Sequence, residues 1–320
     1  MKNNPLVSIV LCTYNGENFL EEQLASLVAQ KYQPLEIITV DDCSTDSTPI
    51  ILRRYKEKYD FFKLYFNKSN LGYCKNFEKA LRLCSGDYIA FCDQDDIWLP
   101  QKIETFVREI KNYSLVYSMP SYINDVGSPI KPPRPFLKLP SGRCPLGLLF
   151  AFPITGHLSM IKRDVLKYAL PFPDVIQEHD YWVPIIAAAM EGLKPIEQVL
   201  SYYRIHDKNT SMRKRKKHRN PIKQIQMRRD HIHTRLKKRI SILECVYNLS
   251  ILSAAEHELV EKLLLETKKL PSCFMNIKLK KIIEENKALL LPYCKKPNKQ
   301  ASRLSKGIWY FRSIIYLNRT

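Results

Sequence analysis

Apolar and polar positions come in alternating blocks over the first hundred residues. Residues 6–12 form an apolar run that predicts a strand, and Thr13-Tyr14-Asn15-Gly16 ends it as a turn. Residues 17–30 then place Leu20, Leu24, Leu27 and Val28 on one helical face. The same unit recurs. Residues 35–40 predict a second strand that ends in Asp41-Asp42-Cys43-Ser44-Thr45-Asp46, and Ser44 or Asp46 can cap a helix over 47–59. Residues 62–66 predict a third strand, Asn70-Leu71-Gly72 a turn and 73–84 a helix; Ser85-Gly86-Asp87 then turns into a strand at 88–92. Strands alternating with helices of this length predict an α/β fold with a mostly parallel sheet flanked by helices. After Pro100 a helix is expected to about Asn112. Residues 113–145, with Pro129, Pro132, Pro133, Pro135 and Pro140, read as a loop over one side of the sheet. The weakly polar stretch 145–161 is broken by Gly147, Pro153, Gly156 and His157 and reads as core or pocket lining. The last third is helical in pattern and rich in Lys and Arg.

Charge divides the chain in two. Of 51 basic and 32 acidic residues in all, residues 213–320 hold 27 basic and 8 acidic, so the whole excess of +19 lies there and residues 1–212 are neutral. The expected organisation is a neutral module at 1–212, with halves at 1–100 and 101–212, followed by a basic α-helical region at 213–320. Such asymmetry points to a polyanionic partner. The nine Cys include no C-x-x-C pair, which favours reduced thiols and a reducing compartment. The N-terminus carries one Lys and a short apolar run with no small-residue cleavage site, so it reads as a first strand and not as a signal peptide. No apolar run reaches 18 residues, so no spanning helix is expected.

The chemistry-bearing residues fall at predicted strand ends. Asn15 and Glu17 follow the first strand, Asp41 and Asp42 the second, and Asp93, Asp95 and Asp96 the fourth. In an open parallel sheet these ends face one crevice. Three carboxylates within four positions oppose folding unless something positive offsets them. Mg2+ or Mn2+, completed by phosphate oxygens, is the usual solution; a solvated acidic turn capping the helix after Pro100 is the alternative. No G-x-G-x-x-G follows the first strand, no G-x-x-x-x-G-K-[ST] occurs, and only nine Gly are present, so a glycine cradle for phosphate is not expected. In Gln177-Glu178-His179-Asp180-Tyr181-Trp182, an Asp beside aromatic rings is partly desolvated and suited to act as a base, while the same acids also suit a helix N-terminus. In the segment 201–211, His206 is a candidate metal ligand and Arg204 a candidate phosphate clamp, and a polar surface turn is the plainer reading.

Residues 5–100 resemble the inverting glycosyltransferase family 2, which has the GT-A nucleotide-sugar fold. The resemblance rests on Val7 to Gly16, Val40-Asp41-Asp42-Cys43-Ser44-Thr45-Asp46, Asn70-Leu71-Gly72, Gly86-Asp87-Tyr88 and Asp93-Gln94-Asp95-Asp96, in family order and spacing. It continues to about residue 211, where Thr155-Gly156-His157, His179-Asp180-Tyr181-Trp182 and Tyr203-Arg204-Ile205-His206 look like acceptor-side motifs. Cys92 to Pro100 with His179-Asp180 is similar to a bacterial rhamnosyltransferase-like subgroup. The resemblance implies that Thr13, Tyr14, Asn15 and Glu17 line the nucleotide pocket and that Asp42 bonds the base. Asp93 is implied on the ribose or sugar side, within a donor motif that includes Gln94. Asp95 is implied to bind a metal bridging the diphosphate, and Asp180 to be the catalytic base. The family's acid before that Asp is His179 here, with Glu178 one place earlier; Asp180 is taken over Glu178.

The resulting expectation is a metal-dependent inverting glycosyltransferase using Mn2+ or Mg2+. It moves a sugar from a UDP- or dTDP-linked donor to a hydroxyl of a saccharide or lipid-linked saccharide in bacterial polysaccharide or lipopolysaccharide synthesis. The polybasic run 213–219 and the aromatic, cation-flanked segment 306–319 suit an anionic membrane surface, placing the protein on the cytoplasmic face of the plasma membrane. A second expectation is a non-catalytic adaptor of the same fold that binds anionic membrane or nucleic acid through its tail. A third is nucleotidyl transfer. No named nucleic-acid motif is present, which disfavours that partner.

Overall fold

The computed structural model describes residues 4–131, 138–151, 154–207, 209, 221–270, 276–294 and 297–305, with the backbone alone for 221–233. These residues form two compact units. The first takes in residues up to 131, 140–143 and 154–206; the second takes in 138–139, 144–151 and the described residues from 207 onward. Residues 207 and 209, like 144–151, fall in the second unit.

In the first unit, β1 (Val7–Thr13), α1 (Leu20–Val28), β2 (Leu35–Asp41), α2 (Thr48–Lys58), β3 (Phe62–Phe66), α3 (Tyr73–Arg82) and β4 (Tyr88–Cys92) follow the predicted alternation. Then come β5 (Ile97–Trp98), α4 (Lys102–Ile110), β6 (Leu115–Ile123) and β7 (Pro129–Ile130). The short α5 (Pro145–Leu148) belongs to the second unit. The chain returns through a 3-10 turn (Gly156–Leu158), β8 (Ser159–Lys162), α6 (Leu166–Ala169), α7 (His179–Ala189) and β9 (Leu193–Arg204). The sheet order is β3-β2-β1-β4-β8-β6-β9-β5, with β7 paired to β6. The β3-β2-β1-β4 half is parallel. β8 runs antiparallel to both β4 and β6, β6 and β9 are parallel, and β5 is antiparallel to β9. The chain winds outward from β1 through β2 to β3 and resumes at β4 on the other side of β1, so the strand order switches between β1 and β4. A ligand crevice is expected at the carboxyl ends of those strands.

Alternate residues of β1 (Val7, Ile9, Leu11) join Leu20, Leu24 and Leu27 of α1 and Ile103, Phe106 and Ile110 of α4 in one core. The opposite end of the sheet is fastened by a buried carboxylate. Glu36 of β2 accepts from Ser8 Oγ of β1 at 2.6 Å, from Ser85 N and Oγ at 2.8 Å each and from Lys63 Nζ of β3 at 2.5 Å. Ser47 is the N-cap of α2 and makes no side-chain cap bond; Asp46 Oδ1, one place earlier, accepts from Thr48 N at 3.0 Å, and Ser44 turns to Asp41 instead.

Leu115–Ile123 is more regular than the composition of its surroundings predicts. β6 is a nine-residue strand whose register against β9 shifts around Met119. That irregularity accommodates Pro120 within the sheet. The segment 154–161 is buried, as expected. In the second unit, α8 (Pro221–Tyr247), α9 (Ala254–Lys268), α10 (Ile277–Glu285), α11 (Lys287–Leu290) and α12 (Pro297–Leu304) form the predicted helical region. A capping box, Ser253 with Glu256, starts α9. Among the described residues no helix is long and apolar enough to cross a membrane. The expected tail segments 213–219 and 306–319 lie outside the described residues.

Candidate active site

Register brings the ends of β1, β2 and β4 together, since Thr13 lies opposite Asp41 and Leu11 opposite Cys92. Most of the polar residues there hold the loops to one another. Thr13 Oγ1 donates to Asp41 Oδ1 at 2.8 Å, and Asp41 also accepts from Ser44 N and Oγ. Asn15, at φ 48°, receives Thr45 N on Oδ1 at 2.8 Å, and Glu17 Oε2 receives Ser47 N at 2.9 Å. Asp42 is buried and accepts from Asn67 Nδ2 at 2.7 Å, Leu71 N at 2.8 Å and Gly72 N at 2.9 Å. The carboxylate expected to meet a base therefore fixes the Asn70-Leu71-Gly72 turn, and about one of its four lone-pair directions is left. Tyr14, 48% exposed, and Glu17 are the exposed side chains of this group.

The loop after β4 carries the acids. Gln94 is used as a staple: its Oε1 accepts from Tyr14 N at 2.8 Å and its Nε2 donates to Tyr14 O at 3.1 Å. Gly16 makes room for it, since a Cβ there would stand 2.4 Å from Gln94 Oε1. The donor-side role expected of Gln94 thus becomes one of joining two loops. Asp93 and Asp95 are partly exposed, and each meets an imidazole. His157 Nδ1 lies 3.0 Å from Asp93 Oδ2, and His206 Nε2 lies 2.9 Å from Asp95 Oδ2. Asp96 is fully buried; its Oδ1 accepts from Arg204 N, and its Oδ2 lies 3.6 Å from His157 Nε2. Burial works against ionisation of Asp93, but the hydrogen bond and charge of His157 outweigh it and hold the carboxyl below its ordinary value. Burial likewise opposes charge on His157, and Asp96 and Asp93 outweigh it and raise the imidazole. Burial pushes Asp96 upward. Below this cluster Lys102 is fully buried, its Nζ donating to His157 O at 2.7 Å and Ser201 Oγ at 3.1 Å and lying 3.7 Å from the centroid of the Trp98 ring.

β9 explains how distant residues reach the acid loop. It pairs Ser201 with Trp98 and Tyr202 with Ile97, so its last turn passes beside Asp95. Arg204 does not sit where it could clamp phosphate. It is buried and donates to the carbonyls of Asp95, Asn124 and Asp125 and to Glu22.

The start of α7 closes another side. Glu178 is exposed at the N-cap and Asp180 is partly exposed in the first turn. His179 is buried and stacked on Phe77 at 3.9 Å and on Phe91 at 5.1 Å; desolvation lowers its pKa to about 3, so it is neutral. Gly156 permits this approach, since a Cβ would lie 2.5 Å from His179 Nε2. Trp182, expected at the acceptor side, is 2% exposed and donates Nε1 to Ala169 O, which makes it core. Burial, with the charges of Asp93 and Glu178 added, raises Asp180 to about 7. A carboxylate so placed is a competent proton acceptor near neutral pH.

Two donor sets suit a divalent cation. Asp93, Asp96 and His157 offer atoms within 4.8 Å of one another, and Asp95 with His206 offers an oxygen and a nitrogen side by side. Sequence reasoning missed Tyr73, Phe19, Glu22 and Lys102. Tyr73 is 40% exposed, packs against His179 at 5.1 Å, and lies close enough to Asp180 and Asp93 to feel their charge. Its one signal is an aromatic residue directly after the Asn70-Leu71-Gly72 turn.

Comparison with known proteins bears on the family and the fold. Residues 8–169 match the model of glycosyl transferase family 2. An uncharacterized glycosyltransferase of Haemophilus influenzae is 37% identical over 123 residues, 38% of this chain and 38% of that protein. TuaG of Bacillus subtilis, a glycosyltransferase provisionally assigned to teichuronic acid biosynthesis, is 34% identical over 118 residues, 37% of this chain and 47% of its own length. The chain thus spans less than half of these two relatives. Among solved structures, Staphylococcus aureus TarS 1–349 in complex with UDP-GlcNAc superposes with a TM-score of 0.62 at 17% identity, over 94% of this chain and 90% of that one. The mannosyltransferase PcManGT of Pyrobaculum calidifontis, in complex with GDP-Man and Mn2+, gives 0.55 at 18%, over 96% and 87%. With the GT-A architecture in place and the family model covering half of its length, the chain belongs to glycosyl transferase family 2.

Proposed function

We propose that the protein is an inverting glycosyltransferase that moves a sugar from a nucleoside diphosphate sugar to a hydroxyl of a saccharide or lipid-linked saccharide. The observation that carries this is Asp180, a carboxylate raised to about 7, beside an acid loop in which Asp93 and Asp95 each meet an imidazole. The acceptor oxygen attacks the anomeric carbon from the face opposite the diphosphate. That carbon's bond to the diphosphate oxygen breaks, and the electron pair leaves with the diphosphate. The hydroxyl proton passes to the Asp180 carboxylate. Asp93, kept ionised by His157, accepts hydrogen bonds from ribose or sugar hydroxyls. Tyr73 offers an aromatic face to the sugar beside Asp180. The residues fit a divalent cation, and Asp95 and His206 would hold it; a set that includes an imidazole nitrogen suits Mn2+ better than Mg2+. When bound, the cation neutralises charge on the departing diphosphate.

Support for a nucleotide-sugar donor also comes from the solved TarS and PcManGT complexes with UDP-GlcNAc and GDP-Man. A UDP- or dTDP-linked donor, rhamnose included, and a surface-polysaccharide acceptor are the finer part of the reading; the TuaG likeness favours a polysaccharide. The basic tail would hold the enzyme on an anionic leaflet. The test is calorimetric titration of UDP, dTDP, GDP and CMP with and without Mn2+, together with Asp180→Asn. Micromolar binding of one nucleoside diphosphate that disappears with chelator, and an Asp180→Asn variant that binds it but does not transfer, are expected. No metal-dependent binding by any nucleotide would favour the adaptor reading instead.

A further inference from the structure

One buried side chain fastens the acid loop from behind. Arg204 is 1% exposed and reaches acceptors on three other segments. Its Nε donates to Asp95 O at 3.0 Å, Nη1 to Asn124 O at 3.3 Å and Asp125 O at 3.1 Å, and Nη2 to the Glu22 carboxylate on α1. The guanidinium carbon lies 4.7 Å from the centroid of the Phe19 ring. The backbone N–H of the same residue donates to Asp96 Oδ1 at 3.0 Å. Two residues on, His206 rests on the same Phe19 ring at 4.6 Å and brings Nε2 to 2.9 Å from Asp95 Oδ2. Arg204 therefore grips Asp95 by its carbonyl and not by its carboxylate, and one aromatic ring seats both Arg204 and His206. A planar guanidinium can serve these divergent acceptors at once; an ammonium, with three donors at a single point, cannot.

We propose that Arg204, braced by Glu22 and Phe19, is a positioning residue that sets the separation of Asp95 and His206 and thereby the affinity of that pair for a divalent cation. The inference rests on the reading of Asp95 and His206 as the metal-holding pair. Groups that orient metal ligands without touching the metal typically change affinity by about 10–100-fold.

The test titrates Mn2+ alone into the full chain, followed by water-proton relaxation, for wild type, Arg204→Lys, Glu22→Gln and Asp95→Asn, with a thermal melt of each. Glu22 is 60% exposed, so its amide variant keeps the fold. Arg204→Lys is expected to weaken Mn2+ binding by about tenfold or more and Glu22→Gln by a few-fold, with the midpoint of Glu22→Gln unchanged. Wild-type Mn2+ affinity in Glu22→Gln and in folded Arg204→Lys would overturn the inference. If Arg204→Lys does not fold, Glu22→Gln decides alone. A wild type that takes no Mn2+, or an Asp95→Asn variant that takes as much as wild type, overturns the metal-pair reading itself and this inference with it.

Discussion

At the scale of single residues, environment gives neighbouring carboxyl groups different proton affinities. Asp93 stays ionised because His157 is beside it, whereas Asp180 is raised to about 7 by burial and by the charges of Asp93 and Glu178. A base must be deprotonated to act, so transfer should rise with pH through about 7 and level off above it, losing about tenfold per unit on the acid side. A rate profile that stays flat between about pH 5.5 and 8.5 would remove Asp180 from the role. Tyr73→Ala should raise the Michaelis constant for donor or acceptor by about tenfold with little change in melting temperature, while Tyr73→Phe should keep most of the affinity, because the stacking face is retained. The sequence marked Asp180 through its aromatic neighbours, but those neighbours misled about Trp182. Which side of a helix faces the core depends on what packs there, and Ala169, which receives the indole N–H, is remote in the local pattern.

At the scale of elements, the polar residues after β1, β2 and β4 mostly join loops to one another. Gln94 pairs with both backbone polar groups of Tyr14 as a neighbouring strand would. Gln94→Ala should cost about 1–2 kcal/mol in denaturant unfolding and weaken nucleotide binding several-fold, since the two loops lose their common register. Unchanged nucleotide affinity would show that the staple is dispensable. The first four strands were legible because each ends in turn chemistry that local pattern detects. β6, β8 and β9 were not. Much of β6 and β8 is buried, which removes the alternation that identifies a strand, and Pro120 and Pro195 argue against strands that a register shift and a strand end accommodate. The contacts of Arg204 and Glu22 span 182 positions and had no local signal at all.

At the scale of the whole molecule, the end of the sheet away from the site is a store of stability that acid removes. Burial would raise Glu36, but bonds from Lys63, Ser8 and Ser85 outweigh it and hold it at about 2. Its folded pKa is below its unfolded value, so it contributes up to about 3 kcal/mol above pH ~4.5, lost as pH falls toward about 2. Glu36→Gln should lower stability at pH 7 and flatten the acid limb of the stability–pH curve. The charge asymmetry predicts that the full chain sediments with anionic vesicles and not with neutral ones, and that the difference fades as salt rises toward about 0.5 M. Lys102 has a consequence of another kind. Its amine is enclosed by Trp98, Ser201 and the carbonyl of His157, so an acylating reagent in solution cannot touch it while the fold is closed. It should therefore react at the rate at which the acid loop opens. Timed acetylation read by peptide mass would make this one lysine a clock for breathing of the site, running slower when donor nucleotide is bound.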